Sequence, residues 1–399
     1  MFSRRSFIFL LLMVAVGLNL RPAMSSVAPL LTRLQETAGL SPAAAGMLTT
    51  LPVLFLGLTA PLAPLLAIRL GSERALSAAL LLLATGLILR GLPLPGALFI
   101  GSALAGSAIG LGGTLLPALV KRELPDSADL VTGLYTMALC LGGALGAGLS
   151  VPLTNLLGGW QASLMSWSLL AIVALLLWHF SMPNRPQTAI MQPQASGLLK
   201  LLDQPLTWYV MLFMGLQSSM AYVVFGWLPS LLVGRGYSEA AAGWTMAISI
   251  MFQLVSALTA PWLARLGRDQ RPALLFVQCL TASGLWLLLM APMTWKWPGA
   301  ILLGLGQGGS FSLALSLLVL RTANSRLAGQ LSGLVQGGGY TLASMGPFLV
   351  GLQLQAGATT SKITWMLITI LALCSVFALF AGRNRRLDHL DGELIVHRY

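Results

Sequence analysis

Apolar residues fill twelve long stretches of the chain, and short polar segments separate them. Each stretch has about 18 residues or more, which is long enough for a helix to cross the hydrocarbon core of a bilayer. The predicted helices, numbered 1 to 12, cover 6–31, 43–69, 74–91, 96–121, 129–154, 160–181, 205–232, 239–265, 271–291, 298–321, 327–352 and 361–383. We therefore expect an all-α membrane protein with twelve transmembrane helices.

The polar connections predict where the chain divides. Most are short, but residues 182–204 form a longer segment rich in proline and glutamine, which is typical of a linker. This predicts a six-helix bundle at 1–181, a cytoplasmic linker at 182–204, a second six-helix bundle at 205–383 and a cytoplasmic tail at 384–399.

A repeated motif indicates that the two halves are related. The run Gly39–Gly46 after helix 1 recurs as Gly236–Gly243 after helix 7, and Thr59–Pro61 recurs as Thr259–Pro261. Several matches in register are difficult to explain by the biased composition alone. They predict two pseudo-symmetric six-helix bundles of parallel repeats.

Composition agrees with a bilayer as the solvent. Apolar residues make up 56% of the chain and charged residues only 9%, against roughly 25% in soluble domains. The formal charge of +12 comes from arginines and lysines placed in loops, without the aromatic interleaving that nucleic-acid binding requires. We expect the lipid bilayer as a partner and no nucleic acid.

The distribution of loop cations predicts the orientation. The loops on the side of the termini carry most of the arginines and lysines, and the opposite side holds few, among them Arg90. By the positive-inside rule, both termini are cytoplasmic. We expect a multi-pass protein of the bacterial inner membrane.

Arg21 is predicted to be the single charge buried in the membrane. It lies inside helix 1, where a guanidinium costs at least about 2.5 to 3.5 kcal/mol. Its fork of donors suits a carboxylate or a similar planar anion. Pro22 follows directly and predicts a kink that frees backbone carbonyls. The structural alternative is an arginine that reaches the membrane surface or binds backbone carbonyls.

Neutral polar residues concentrate on helices of the second half. They predict a neutral polar wall opposite Arg21, although an interhelical hydrogen bond is the alternative for each of them. The predicted substrate-binding residues are Arg21, Ser25, Tyr135, Gln217, Tyr222, Gln253, Gln307, Gln336 and Tyr340.

The positions of the acids exclude several functions. All eleven fall in loops, helix ends or the tail, so no buried carboxylate is expected to bind protons or a cationic drug. Any proton dependence would then arise from the substrate or from a loop acid. A nucleophile with a buried base is equally missing, so we expect no enzyme, cofactor or metal. Cys140, Cys279 and Cys374 are expected to pack in the core.

Six short motifs resemble the cyanate and 2-nitroimidazole porter family of the major facilitator superfamily. They are Asn19–Pro22, Val27–Leu31, Leu48–Pro52, Leu116–Arg122, Gly226–Pro229 and Gly236–Ala240. The loop element Arg69–Gly71 resembles a degraded superfamily motif, with Ile68 where that motif usually has aspartate. The resemblance implies the major facilitator fold and transport of a small polar solute.

Together these features predict a secondary active or facilitative transporter of a small anionic or polar-planar solute. It would work by alternating access as a monomer, with Arg21 binding the negative charge of the substrate and with the role of protons left open. Two alternatives stay open: an exporter of neutral drug-like compounds such as nitroimidazoles, and a membrane sensor that does not transport.

Overall fold

The computed structural model describes residues 4–94, 96–124, 127–182, 198–264, 267–390 and 393–398, and twelve long helices account for most of them. Three helices consist of more than one segment: α1 (Arg4–Leu20, Pro22–Ser25 and Leu31–Ala38), α2 (Pro42–Thr59 and Ala63–Leu70) and α6 (Trp160–Ser166 and Ser168–Ser181). The others are α3 (Ser72–Arg90), α4 (Ala97–Glu123), α5 (Ala128–Leu157), α7 (Pro205–Val233), α8 (Glu239–Leu263), α9 (Arg271–Leu289), α10 (Lys296–Leu320), α11 (Ser325–Gln355) and α12 (Thr360–Ala381). Short 3-10 turns lie at Ala28–Leu30, Ala60–Leu62 and Met293–Trp295, and a short helix lies at Leu198–Leu202.

The predicted all-α membrane fold with twelve spans is confirmed. Eleven of the helices in the described ranges are long and apolar enough to cross a bilayer. The twelfth is α11, which is rich in glycine, glutamine and serine and therefore less apolar. The helix bounds differ from the predicted ones by a few residues, except that α1 continues past residue 31 to Ala38.

A β-hairpin after α12 was not predicted. The strands β1 (Arg385–Leu390) and β2 (Glu393–Arg398) pair antiparallel. The buried Leu387 joins the hairpin to the end of α10, because its N–H donates to the Arg321 carbonyl at 2.8 Å and its carbonyl accepts from Ala323 N–H at 2.9 Å. Part of the segment predicted only as a tail is therefore docked structure.

The chain forms two compact units. The first comprises Met1–Ile190, Val223–Met251 and Pro347–Gly357, and the second comprises Met191–Tyr222, Phe252–Gly346 and Ala358–Tyr399. The first unit therefore includes parts of α7, α8 and α11, which belong to the second predicted bundle. The predicted bundle boundaries stay predictions. Most of the predicted linker, residues 183–197, lies outside the described residues.

The repeated motif has the same backbone structure in both copies. Gly39 and Gly236 both adopt a left-handed conformation, with φ of 64° and 95°, which glycine reaches without strain. Two residues later, Ser41 Oγ accepts a hydrogen bond from Ala44 N–H and Ser238 Oγ accepts one from Ala241 N–H, both at 3.2 Å. The sequence repeat is thus a repeated turn and helix cap.

Arg33 joins three helices of the first unit where α1 ends, through an ion pair and a hydrogen bond. Arg33 Nε lies 2.5 Å from Glu239 Oε2, and Arg33 Nη1 donates to Asn155 Oδ1 at 2.9 Å. Glu36 is exposed, whereas Glu239 begins α8 with its carboxylate held by Arg33. In the same unit, Trp227 Nε1 donates to the Pro347 carbonyl at 2.8 Å. This end of the first unit is therefore tied by both charge and hydrogen bonds.

Glu73 is buried, although its predicted position at a helix end suggested an exposed acid. It does lie at a helix end, in the first turn of α3, but it is only 4% exposed. Arg122 Nη2 lies 2.5 Å from Glu73 Oε1 and 3.1 Å from Glu123 Oε1. Trp178 Nε1 also donates to the Glu73 carbonyl at 3.0 Å. A helix-end acid can thus be buried when a cation from the end of another helix neutralises it.

The cysteines also differ from expectation in one position. Cys140 and Cys374 are buried, as predicted for core packing, but Cys279 is exposed on the surface of α9. A small apolar side chain on a lipid-facing surface needs no partner, so packing inside the bundle is not required there.

Candidate substrate site

The site is built around a break in α1 at Arg21 and Pro22. The first segment of α1 ends at Leu20, and a single turn, Pro22–Ser25, follows. Pro22 has no N–H, so the Leu18 carbonyl lacks the donor that a regular helix would supply there. Gly142 of α5 packs directly on this carbonyl, and a side chain at that position would collide with it. The helix is thus interrupted where Pro22 predicts a kink.

The Arg21 side chain lies against α5 and α7 within the first unit. The side chain is half-buried. Its Nη1 lies 3.7 Å from Cys140 Sγ, and its guanidinium carbon lies 5.5 Å from the centre of the Phe225 ring. A thiol is a weak hydrogen-bond acceptor, and an aromatic face attracts a cation without occupying its in-plane donors. These contacts orient a guanidinium whose planar fork suits an oxygen anion.

Arg90 corrects the expectation that Arg21 is the single buried charge. It was assigned to a loop, but it is the last residue of α3 and is 0% exposed. Its Nη1 donates to the Ala23 carbonyl in the short turn after Pro22. A charge at a helix end can turn inward when a broken neighbouring helix offers a carbonyl. The sequence did carry a signal, because Arg90 falls inside predicted helix 3.

Ser25 and Tyr135 lie in the same unit as Arg21. Ser25 is fully buried, and its Oγ donates to the Arg21 carbonyl at 3.2 Å, next to the bond from Ser25 N–H at 3.1 Å. Tyr135 is 7% exposed on α5, and its main-chain carbonyl faces Gly17, one turn before Arg21. Ser25 thus stabilises the backbone of the break, and Tyr135 lies in the helix that packs on it.

Two predicted glutamines of the second unit bind each other. Gln253 Nε2 donates to Gln307 Oε1 at 3.1 Å, and Gln307 Nε2 donates to the Met220 carbonyl at 3.3 Å. The chain of bonds connects α8, α10 and α7, and both glutamines are nearly fully buried. The geometry is that of an interhelical hydrogen bond, which was the alternative for each polar residue. Their contact with a substrate stays a prediction.

The other two predicted glutamines of the second unit contact a residue on their own helix, and the two predicted tyrosines contact each other. Gln217 Nε2 donates to Ser218 Oγ at 2.8 Å, and Gln336 Nε2 donates to Ser332 Oγ at 2.7 Å. Tyr222 and Tyr340 pack edge to face, with ring centres 6.2 Å apart at 71°. The tyrosine pair brings α7 and α11 together and offers an aromatic surface with two hydroxyls.

Cys140 and Phe225 are contacts of Arg21 that the sequence did not single out. Phe225 could have been found, because Ser218, Tyr222 and Phe225 follow the i, i+4, i+7 spacing of one helix face. Cys140 gave no such signal, since a lone cysteine in an apolar helix has many packing roles.

Twelve long helices in the described ranges, eleven of them apolar enough to cross a bilayer, define a multi-pass membrane protein. The Major Facilitator Superfamily model matches residues 6–347, and the chain belongs to this superfamily. It is 36% identical over 381 residues to the 2-nitroimidazole transporter of Escherichia coli (strain K12), covering 94% of this chain and 95% of that protein. It is 32% identical over 348 residues to the cyanate transport protein CynX of the same organism, covering 86% and 89%.

A solved structure supports the fold independently of sequence. The crystal structure of a D-xylose-proton symporter matches with a TM-score of 0.73 at 16% identity, covering 93% of this chain and 97% of that one. The superfamily match and the two relatives confirm the resemblance inferred from the six motifs, and the relatives are transporters.

The Gln253–Gln307 bond predicts a measurable coupling in stability. Each single change, Gln253→Leu or Gln307→Leu, leaves a buried amide with a lost partner, whereas the double change removes both. We expect a coupling free energy of about 0.6 kcal/mol, and at most about 1.7 kcal/mol, from a double-mutant cycle of unfolding in detergent. Gln336→Leu with Gln253→Leu is the matched control and should be additive. Additivity of the Gln253 and Gln307 changes would contradict the bond.

Proposed function

We propose that this membrane transporter carries a small anionic or polar-planar solute by alternating access, and that Arg21 binds the substrate's negative charge. The observation that carries the proposal is the half-buried guanidinium at the break in α1, held by Cys140 and the Phe225 ring. An arriving anion offsets the cost of desolvating a cation, so the substrate and Arg21 stabilise each other.

The names of the relatives agree with this substrate class. Cyanate is a small linear anion, and 2-nitroimidazole is a planar polar ring. The two compounds differ in charge but share a compact delocalised structure with oxygen or nitrogen acceptors. A guanidinium recognises both features, because it donates parallel hydrogen bonds within one plane and stacks on flat groups.

A second candidate is export of neutral planar compounds such as nitroimidazoles. The Tyr222–Tyr340 pair favours it, since an aromatic edge and two hydroxyls suit a flat polar ring better than a compact anion. The two candidates differ in what they require of Arg21. An anion requires the charge of Arg21, whereas a neutral ring binds through the tyrosine pair without it. A membrane sensor that does not transport has no observation in its favour.

The remaining parts of the proposal concern organisation. The polar residues Gln217, Gln253, Gln307 and Gln336 contribute neutral hydrogen-bonding groups to the substrate path. The protein acts as a monomer of the bacterial inner membrane, with bundles at 1–181 and 205–383, and protons are candidate co-substrates. The positive-inside distribution of loop cations supports cytoplasmic termini.

The orientation predicts the behaviour of reporters fused to the C-terminus. Because both ends are cytoplasmic, green fluorescent protein fused there should fluoresce and alkaline phosphatase fused there should be inactive. A fusion after Arg235, in the loop between α7 and α8, should give active phosphatase. Active phosphatase at the C-terminus would contradict the orientation.

Substitutions of Arg21 test the proposed function directly. The probes are cyanate, benzoate and 2-nitroimidazole, and the readout is saturable binding to the purified full chain followed by uptake into proteoliposomes. Arg21→Lys keeps the charge but loses the planar fork, so anion affinity should fall about tenfold, the value of one charge-assisted bond. Arg21→Ala should abolish anion binding while the protein stays folded.

Arg74→Ala is the matched control for Arg21→Ala. Arg74 is an exposed arginine near the start of α3 and should leave affinity unchanged. The anion proposal is contradicted if Arg21→Ala binds the anions normally, or if it unfolds, which would make Arg21 structural. Retained 2-nitroimidazole binding together with lost anion binding in Arg21→Ala would support the second candidate.

A further inference from the structure

Arg90 is a fully buried cation that the proposed transport mechanism does not use. It ends α3 and is 0% exposed, and its aliphatic stem passes close to α4, where a side chain at Gly101 would lie 3.0 Å from Arg90 Cγ. Its Nη1 donates to the Ala23 carbonyl, while its Nε and Nη2 have no hydrogen-bond partner among the described residues. Burial of a guanidinium on these terms is costly and calls for a compensating role.

The Ala23 carbonyl, which accepts the hydrogen bond from Arg90, lies in a short turn of α1 whose conformation depends on tertiary contacts. Pro22–Ser25 is a single turn of four residues between two breaks. One turn does not hold its conformation alone, because helix nucleation is unfavourable and each isolated bond fixes several dihedral angles. Pro22 and Pro29 lack the N–H groups that would tie the turn to its neighbours. Tertiary contacts must therefore fix the turn.

The turn is held from both sides. On one side, α5 packs on the break, with Gly142 against the Leu18 carbonyl. On the other side, Arg90 reaches the Ala23 carbonyl from α3. Main-chain carbonyls in helical backbone point roughly along the helix axis, so Arg90 contacts the backbone of the turn itself, two residues after Arg21. Arg90 and α5 thus hold the backbone that carries the Arg21 side chain.

We propose that Arg90 is a positioning residue for Arg21: its hydrogen bond to the Ala23 carbonyl fixes the Pro22–Ser25 turn and thereby the direction of the Arg21 guanidinium. This inference rests on the proposed function, in which Arg21 binds the anion. This positioning role differs from a purely electrostatic role, in which the Arg90 charge would attract the anion from a distance and would act independently of Arg21.

Two variants of Arg90 separate the bond from general packing. Arg90→Lys keeps a charged hydrogen-bond donor group on a side chain of similar length. Arg90→Met has a similar length but no hydrogen-bond donor. With cyanate as the probe and benzoate as a second anion, we expect binding about tenfold weaker in Arg90→Met and within about threefold of the original in Arg90→Lys. Arg321→Met is the matched control, because Arg321 is equally buried but binds the Ala381 carbonyl of the second unit at 2.8 Å. It should leave anion affinity unchanged.

A double-mutant cycle separates positioning from electrostatics. If Arg90 acts through Arg21, Arg90→Met should weaken binding by no more than about twofold when Arg21→Lys is already present. Full additivity in the double variant would overturn the positioning role and assign the effect to charge. Normal affinity in Arg90→Met alone would overturn the proposal altogether.

Folding is followed by thermal unfolding of each variant in detergent. If Arg90→Met does not fold, Arg90→Gln, which is polar but too short to reach Ala23, replaces it under the same criteria. Failure of the proposed function has a different signature: Arg21→Ala would then bind the anions normally, whatever the Arg90 variants do.

Discussion

The missing N–H of Pro22 is the constraint on which the rest of the site depends. A transmembrane helix must satisfy its backbone internally, and a proline in mid-span leaves one carbonyl without its helical donor. In this chain the interruption of the helical hydrogen bonds coincides with Arg21, so the interruption and a cation lie at the same level of α1. The neighbouring helices stabilise that combination through Gly142 against the Leu18 carbonyl and Arg90 on the Ala23 carbonyl.

Charge burial follows one pattern across the described part of the chain. Glu73 is buried with Arg122, Glu239 is held by Arg33, and Arg90 and Arg321 donate to main-chain carbonyls near helix ends. In each case an ion pair or a carbonyl dipole offsets at least part of the cost of burying the charge. Arg21 lies at the interruption of α1, and its neighbours include the Cys140 thiol and the Phe225 ring.

Helix periodicity and charge distribution predicted the fold well, because crossing a bilayer imposes length and polarity on every span. The same reasoning failed where tertiary contacts decide the outcome. Arg90 and Glu73 lie at helix ends, where a side chain is expected to be solvent-exposed, yet both turn inward to partners on helices far away in the chain. The β-hairpin docks through Leu387 on α10, a contact that no local pattern predicts. Of the candidate site, Pro22 predicted the break, whereas the Gln253–Gln307 bond needed the structure.

The central claim is that an anion binds at Arg21, and selenocyanate tests it most directly. This linear analogue of cyanate carries selenium, whose anomalous scattering locates it in a crystal of the protein without reference to side-chain density. We expect an anomalous peak in contact with the Arg21 guanidinium, and its loss in Arg21→Ala crystals. A peak elsewhere in the protein with none at Arg21, or one that persists at the same place in Arg21→Ala, would contradict the claim.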